Sequence, residues 1–273
     1  MTSIPFTDPD TVASLYTDAG RTQQRTNALL TAKTGGDNAT ATIVDLVAHH
    51  APKNPAVCEI GCGRGTVTLA LAEALSPSRH TVVDISPAFL ATVAKRAADT
   101  GFAVETVRGD FHHLPLPDTS FDVLVAAFCL YHSTRPADVV AEVARCLASD
   151  GRAILATKSV DSYHEIDQLM VDTGLDPQAS SRPSLYETFH STNASDVVAT
   201  GLEVTEVIHR DHTFRFTDFD HLASYAVTIP KYQLPQWLGP NPDDLAAELR
   251  RRTCDRPLTA TSTVTYIAAS SQP

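Results

Sequence analysis

No apolar run in this 273-residue chain is long enough to cross a bilayer. The longest stretches, such as Val123 to Leu130, fall far short of the roughly 20 residues a spanning helix needs. The first thirty residues lack the basic start and apolar stretch of an export signal and carry Asp8, Asp10 and Asp18 instead. A cytoplasmic protein with no membrane partner is therefore expected. No C-x-x-C pair occurs, and the five cysteines (Cys58, Cys62, Cys129, Cys146 and Cys254) are scattered and odd in number. That pattern suits reduced thiols filling small core spaces and speaks against a disulfide framework. With no H-x₃-H spacing and no carboxylate cluster, no metal site is expected. Basic residues are scarce: 21 Lys and Arg against 32 Asp and Glu give a formal net charge of −11, and the one basic run is Arg250-Arg251-Arg252. A phosphate backbone is repelled on average, so a nucleic-acid partner is not expected. Internal repeats and low-complexity tracts are absent.

What is present is a rhythm. Asp37 to His50 has apolar residues at helical spacing and stops at Pro52, and the short buried-strand run Ala56 to Ile60 follows and ends in glycines. Helix and strand then alternate: helix Thr66 to Leu75, strand Thr81 to Val83, helix from Pro87 to about Asp99, strand Ala103 to Val107. Strand Phe121 to Ala127, helix Ala137 to Leu147 and strand Ala153 to Thr157 continue it. Strands separated by helices of this length predict right-handed βαβ units and a parallel sheet covered on both faces. Beyond Lys158 the rhythm breaks. Helices near 164–172 and 193–199 and strands near 204–216 and 260–268 are separated by irregular stretches at about 159–188 and 217–257. These two stretches, with an N-terminal helical segment 1–50, are the expected cap on a domain spanning 51–273.

The chemistry concentrates at strand ends. Glu59-Ile60-Gly61-Cys62-Gly63-Arg64-Gly65 stands directly between a strand and a helix. Its glycines permit a tight turn and close ligand approach, and the helix start offers free N–H groups. A dinucleotide-binding G-x-G-x-x-G would need glycine at 66, where Thr66 stands. Glu59 would also repel a pyrophosphate, whereas a ligand bearing an ammonium and a sulfonium would welcome it. Asp84 ends the second strand, nineteen residues after Gly65, where a carboxylate can accept both ribose hydroxyls. Asp110 ends the third, placed to accept an adenine amino group, with Phe111 beside it to pack on the ring.

At these residues the chain resembles the class I S-adenosylmethionine-dependent methyltransferases, and most of all the branch of ubiquinone/menaquinone-biosynthesis and small-molecule enzymes. The resemblance runs from about Ala56 to Lys158 through AVCEIGCGRG, VVDISPAFL, VRGDFHHLPLPDTSFDVLVAAFCLYH and EVARCLASDGRAIL. It implies a Rossmann-like, doubly wound, seven-stranded and mostly parallel sheet with an antiparallel final strand. It also implies S-adenosylmethionine as cofactor and S-adenosylhomocysteine as product. By the same resemblance Glu59, Gly61, Cys62 and Gly63 line the methionine end, Asp84 holds the ribose, Ile85, Asp110 and Phe111 serve the adenine, and Phe128 lies next to the sulfonium. The usual Lys-Pro-Gly-Gly turn is here Ala148-Ser149-Asp150-Gly151, away from the cofactor.

The acceptor is less legible. Ala127-Phe128-Cys129-Leu130 is not the Asn/Asp-Pro-Pro-Tyr signature of amino-methyltransferases acting on bases or protein glutamine, which favours a small molecule in metabolism. His132 is the candidate general base, because an imidazole titrates near neutrality. Tyr16, Tyr163, Tyr186, Phe189 and His190 are the candidate acceptor contacts, as aromatic and polar residues in irregular chain suit a mostly apolar pocket. A nicotinamide dehydrogenase and a fold relative that uses the cofactor for cyclisation or binding only stay open as alternatives. The acceptor atom and the oligomeric state are not readable.

Overall fold

Helix boundaries follow the capping chemistry of the chain. The computed structural model describes residues 5–8, 12 and 19–272. In chain order its elements are α1 (Ala19–Ala32), β1 (Lys33–Gly35), α2 (Ala39–His50), β2 (Ala56–Ile60), α3 (Thr66–Leu75), β3 (Arg79–Asp84), α4 (Pro87–Thr100), β4 (Glu105–Arg108) and β5 (Phe121–Ala127). They continue with α5 (Pro136–Cys146), β6 (Leu147–Lys158), α6 (His164–Asp172), α7 (Ala194–Val198), β7 (Leu202–Phe216), α8 (Phe219–Ala226), α9 (Pro242–Arg252) and β8 (Leu258–Ser271). The Asn38 side chain accepts from the Thr40 and Ala41 amides to start α2. Ser86 caps α4 with Pro87 in its first turn, and Gly101 ends it in the left-handed region at φ 79°.

The strands form one sheet in the order β1-β7-β8-β6-β5-β2-β3-β4. β2 pairs in parallel with both β3 and β5, β3 with β4 and β5 with β6, whereas β8 runs antiparallel to β6 and β1 antiparallel to β7. The sheet has eight strands where seven were expected. The additional one is the three-residue β1, whose Lys-Thr-Gly has no apolar signal. From β2 the chain winds outward through β3 and β4, then returns to add β5 on the other side. The crevice at the carboxyl ends of β2 and β5 is thus a topological switch point, where open parallel sheets hold ligands.

The chain divides into two compact units. One comprises Asp37–Lys158, Thr188–His209 and Val264–Pro273. In it Val57, Val123, Val125, Ile154 and Ala156 of the sheet pack with Ile43, Leu46 and Val47 of α2 and Val67 and Leu71 of α3. The alternate strand residues Cys58, Leu124, Ala153 and Leu155 are buried as well, as expected where both faces of a parallel sheet are covered. The other unit gathers Met1–Gly36, Ser159–Glu187 and Arg210–Thr263. Its own core is built from Ile166 and Met170 of α6, Phe214 and Phe216 of β7, Phe219 and Leu222 of α8, and Leu245 and Leu249 of α9. The irregular stretches after Lys158 thus share a core with the N-terminal residues. The first boundary falls at Gly36, and α2 packs with the sheet. Among the described residues no helix is long and apolar enough to cross a membrane.

His80, on β3, is buried, and neither ring nitrogen has a hydrogen-bond partner among the described residues. Burial pushes its pKa down to about 4. The folded state therefore refuses a proton that the unfolded chain takes up near pH 6.5. Stability from this residue is fully present above pH 6.5 and is lost as pH falls toward 4, by about 3 kcal/mol at the limit. His80→Leu is expected to flatten the acid limb of stability measured by urea unfolding between pH 7 and 4. An unchanged limb would assign the acid sensitivity elsewhere.

Candidate active site

Three glycines open the turn after β2, two of them for packing and one for space. All have positive φ: 65° at Gly61, 51° at Gly63 and 76° at Gly65. A Cβ at Gly61 would come within 2.6 Å of the Cys129 Cβ, and one at Gly65 within 2.8 Å of Val93 Cγ2. At Gly63 a Cβ would meet nothing within 4 Å. Gly61 and Gly65 let the turn pack, whereas Gly63 faces open space. Gly65 is also the first residue flanking α3, and no side chain caps that helix. Its leading amides are of the kind that bind ligands at helix starts.

Glu59 ends almost completely enclosed, at 2% exposure. Thr68 Oγ1 of α3 donates to its Oε2 at 2.5 Å, and no described lysine, arginine or histidine pairs with it. Burial, with a smaller push from Asp84, raises its pKa to about 8 against the opposing bond from Thr68. Asp84, at the end of β3, accepts from the Gly63 amide through Oδ2 and from the Ser86 amide through Oδ1, both at 2.9 Å. The Ile85 amide bonds the same carboxylate, whose roughly four lone-pair sites leave room for a further donor. Burial raises this carboxyl too, and its backbone bonds oppose the shift. Ile85, the next residue, is 62% exposed, a large apolar surface at a strand end.

Asp110 follows β4. Its Oδ1 accepts from the His112 amide at 2.9 Å and lies 2.8 Å from the ring Nδ1. Burial pushes its carboxyl up, but the bonds from His112 outweigh that and hold it below the usual range. Phe111 is half-buried, its ring centroid 4.7 Å from that of His112. After β5, Phe128 takes φ 56°, uncommon for a bulky residue, while its amide donates to Ala156 O at 2.8 Å. Its ring lies 5.9 Å from Lys158 Nζ. A short 3₁₀ turn, Leu130–His132, places His132 with its amide on Cys129 O at 3.0 Å. The Cys62 and Cys129 thiols are buried and pushed well up by that burial, which makes them unreactive packing groups.

The expected cofactor residues thus all sit at the carboxyl ends of β2, β3, β4 and β5, within one unit. The expected acceptor contacts do not gather in this way. Tyr16 lies outside the described residues. Tyr163 packs in the core of the other unit, its ring 5.2 Å from Phe214 and 5.7 Å from Tyr225. Tyr186 belongs to that unit and is buried. Phe189 and His190 belong to the sheet unit. Phe189 is fully enclosed, its carbonyl accepting from Thr157 Oγ1 at 2.7 Å, and His190 Nδ1 lies 2.8 Å from Thr192 Oγ1. As core side chains, Tyr163 and Phe189 have packing as their evident role. Sequence reasoning missed Thr68, His112 and Ser133, of which only Thr68 had a signal, a hydroxyl in the first turn of the helix after the glycines.

These residues fit an adenosyl ligand with a cationic tail on two observations. Glu59 is a buried carboxyl with no cation beside it among the described residues, and the missing side chain of Gly63 leaves an open cradle beside Asp84. Comparison with known proteins agrees. Residues 58–155 match the family model described as a methyltransferase domain. Over 103 residues the chain is 36% identical to the phthiotriol/phenolphthiotriol dimycocerosates methyltransferase of Mycobacterium leprae, covering 37% of this chain and 36% of that one. It is 30% identical over 112 residues to the demethylmenaquinone methyltransferase of Thermus thermophilus, covering 41% and 50%. The chain spans half or less of the length of these curated relatives. Among solved structures, a putative methyltransferase from Bacillus halodurans superposes with a TM-score of 0.60 at 19% identity, covering 85% of this chain and 97% of that one, a likeness of fold. Between Cys58 and Leu155 the chain therefore matches a methyltransferase domain, on a fold shared with a solved methyltransferase-like structure.

Proposed function

We propose that this protein transfers the methyl group of S-adenosylmethionine to a small-molecule acceptor. The observation that carries the reading is the series of three carboxylates, Glu59, Asp84 and Asp110, at the ends of successive parallel strands around an open glycine turn. Glu59 takes the ammonium, Asp84 the ribose hydroxyls, Asp110 the adenine amino group, and Ile85 and Phe111 the faces of the base. When bound, the cofactor supplies an electrophilic methyl on sulfur. The chain's part is to hold an acceptor atom in line with it and keep water away, for which a dedicated base is optional. His132, beside the β5 turn, takes the proton where the acceptor is a hydroxyl. The acidic composition and the absence of an Asn/Asp-Pro-Pro-Tyr sequence after β5 support a small acceptor, as do the names of the two relatives. Acceptor choice is assigned to residues outside 58–155, since the strand ends within that range serve the cofactor. The dehydrogenase alternative gains no support from the glycine spacing or from the relatives.

S-adenosylhomocysteine at a hundredfold excess over Kd is expected to raise the melting temperature by roughly 5–10 °C, and NAD to leave it unchanged. A protection by NAD alone would reverse the assignment. Among candidate acceptors, mass spectrometry is expected to find a product heavier by one methylene. An isomer of unchanged mass would favour cyclisation.

A further inference from the structure

Two adjacent histidines, His112 and His113, follow Asp110, and only one of them touches its carboxylate in this structure. An isolated bridge pairs Asp110 with His113, and the His113 amide donates to Asp110 O at 3.0 Å, which closes a tight turn. Inside that turn both the amide and the Nδ1 of His112 meet the same oxygen, Oδ1. On the far side of the ring, Nε2 lies 2.7 Å from Ser133 Oγ, in the loop after β5. Ser133 is wholly buried, and its Oγ also accepts from the Arg135 amide at 2.9 Å. The protons have a single self-consistent arrangement for a neutral ring. Nδ1–H donates to Asp110, Nε2 accepts, and the Ser133 hydroxyl donates to it. A carboxylate, an imidazole and a serine in line also make a nucleophilic triad elsewhere. Here the serine oxygen is enclosed and engaged by a backbone amide, so it attacks nothing. The line works in the opposite direction, from the buried serine outward to the carboxylate, whose side chain is 54% exposed against 18% for His112.

We infer that His112 is a positioning residue for base recognition: it pins Oδ1 of Asp110, presents Oδ2 to the 6-amino group of the cofactor's adenine, and ties that acceptor to the loop after β5. The inference rests on the reading of Asp110 as the adenine partner. Held by the backbone amide alone, an exposed aspartate gains rotational freedom and loses directional preference between a donor and an acceptor at the purine 6-position. With His112 in place, a 6-oxo purine sets one acceptor against another and is rejected, as sites built to hydrogen-bond a particular group reject ligands lacking it.

The test is calorimetric binding of S-adenosylhomocysteine and its deaminated 6-oxo counterpart, S-inosylhomocysteine. The wild-type chain is expected to prefer the amino compound by about 30-fold or more, and His112→Ala to bring that preference to within about threefold, mainly by weakening the amino compound. His112→Asn puts a side-chain N–H where Nδ1 was and is expected to restore most of the preference. His112→Gln reaches toward Ser133 and is not. A preference retained in His112→Ala, or equal losses for both ligands, would overturn the positioning role while leaving the adenine assignment intact. A wild-type preference near one would overturn the Asp110 assignment itself, and the inference with it.

Discussion

Asp84→Ala is expected to weaken S-adenosylhomocysteine by two to four orders of magnitude in calorimetry. A carboxylate accepting two ribose hydroxyls contributes about 1.5–3 kcal/mol through each charged hydrogen bond. The side chain also fixes the turn that must meet the ligand, since it accepts from the Gly63 and Ser86 amides. Asp84→Asn keeps the shape and one good acceptor and is expected to fall between. The ligand-free fold should survive either change, because the carboxyl is buried at a cost that the substitution removes. Circular dichroism and a cooperative melt check that point. Affinity for S-adenosylhomocysteine within threefold of wild type in a folded Asp84→Ala chain would end the ribose assignment.

The second large effect is a proton. Without ligand, Glu59 is buried with a pKa of about 8 and accepts from the Thr68 hydroxyl, so at pH 7 it is mostly protonated. Bringing an ammonium against it favours the charged form. Binding S-adenosylhomocysteine at pH 7 should therefore release close to one proton, about 0.9 from a group with that pKa. Calorimetry in two buffers of different ionisation enthalpy reads the number directly. 5′-Methylthioadenosine, which lacks the ammonium, should release none, and Glu59→Gln should abolish the release. Binding of S-adenosylhomocysteine with no proton released would remove Glu59 from the ammonium. The sign for stability follows from the same shift. A carboxyl raised above its unfolded value keeps its proton more tightly when folded, so its contribution is present at low pH and is lost as pH rises from about 4.5 through 8, by about 5 kcal/mol at the limit. Ligand-free Glu59→Gln should accordingly melt higher than wild type at pH 8.5 and differ little at pH 5.

Glu59, Asp84 and Asp110 were legible in the sequence because a strand end can be located from an apolar run and a following turn, and a parallel sheet brings such ends together. Contacts between loops carry no such periodicity. Nothing in the chain links His112 to Ser133 across twenty-one residues until β5 and the turn after β4 are built. The allegiance of α2 was equally hidden. Ile43, Leu46 and Val47 announce an apolar face but not which core it enters. Tyr163 and Phe189 show the same limit in aromatic form. In irregular chain, where neither 3.6 nor 2 residues repeat, a ring destined for a core reads like one destined for a ligand. β1 escaped notice because its three polar or small residues show no apolar alternation.

The cramped approach of Gly61 to Cys129 bears on how this fold can drift. The two residues share one volume: the cysteine side chain stands where any side chain at 61 would have to go. One opens the turn after β2, and the other belongs to the loop after β5 that carries Phe128 and His132. Enlargement at either position must be absorbed by the other, so changes on the two loops are epistatic. A lineage altering the loop after β5 meets a wall made of the turn after β2. Residue 129 is thus constrained to stay small by a turn on a different strand.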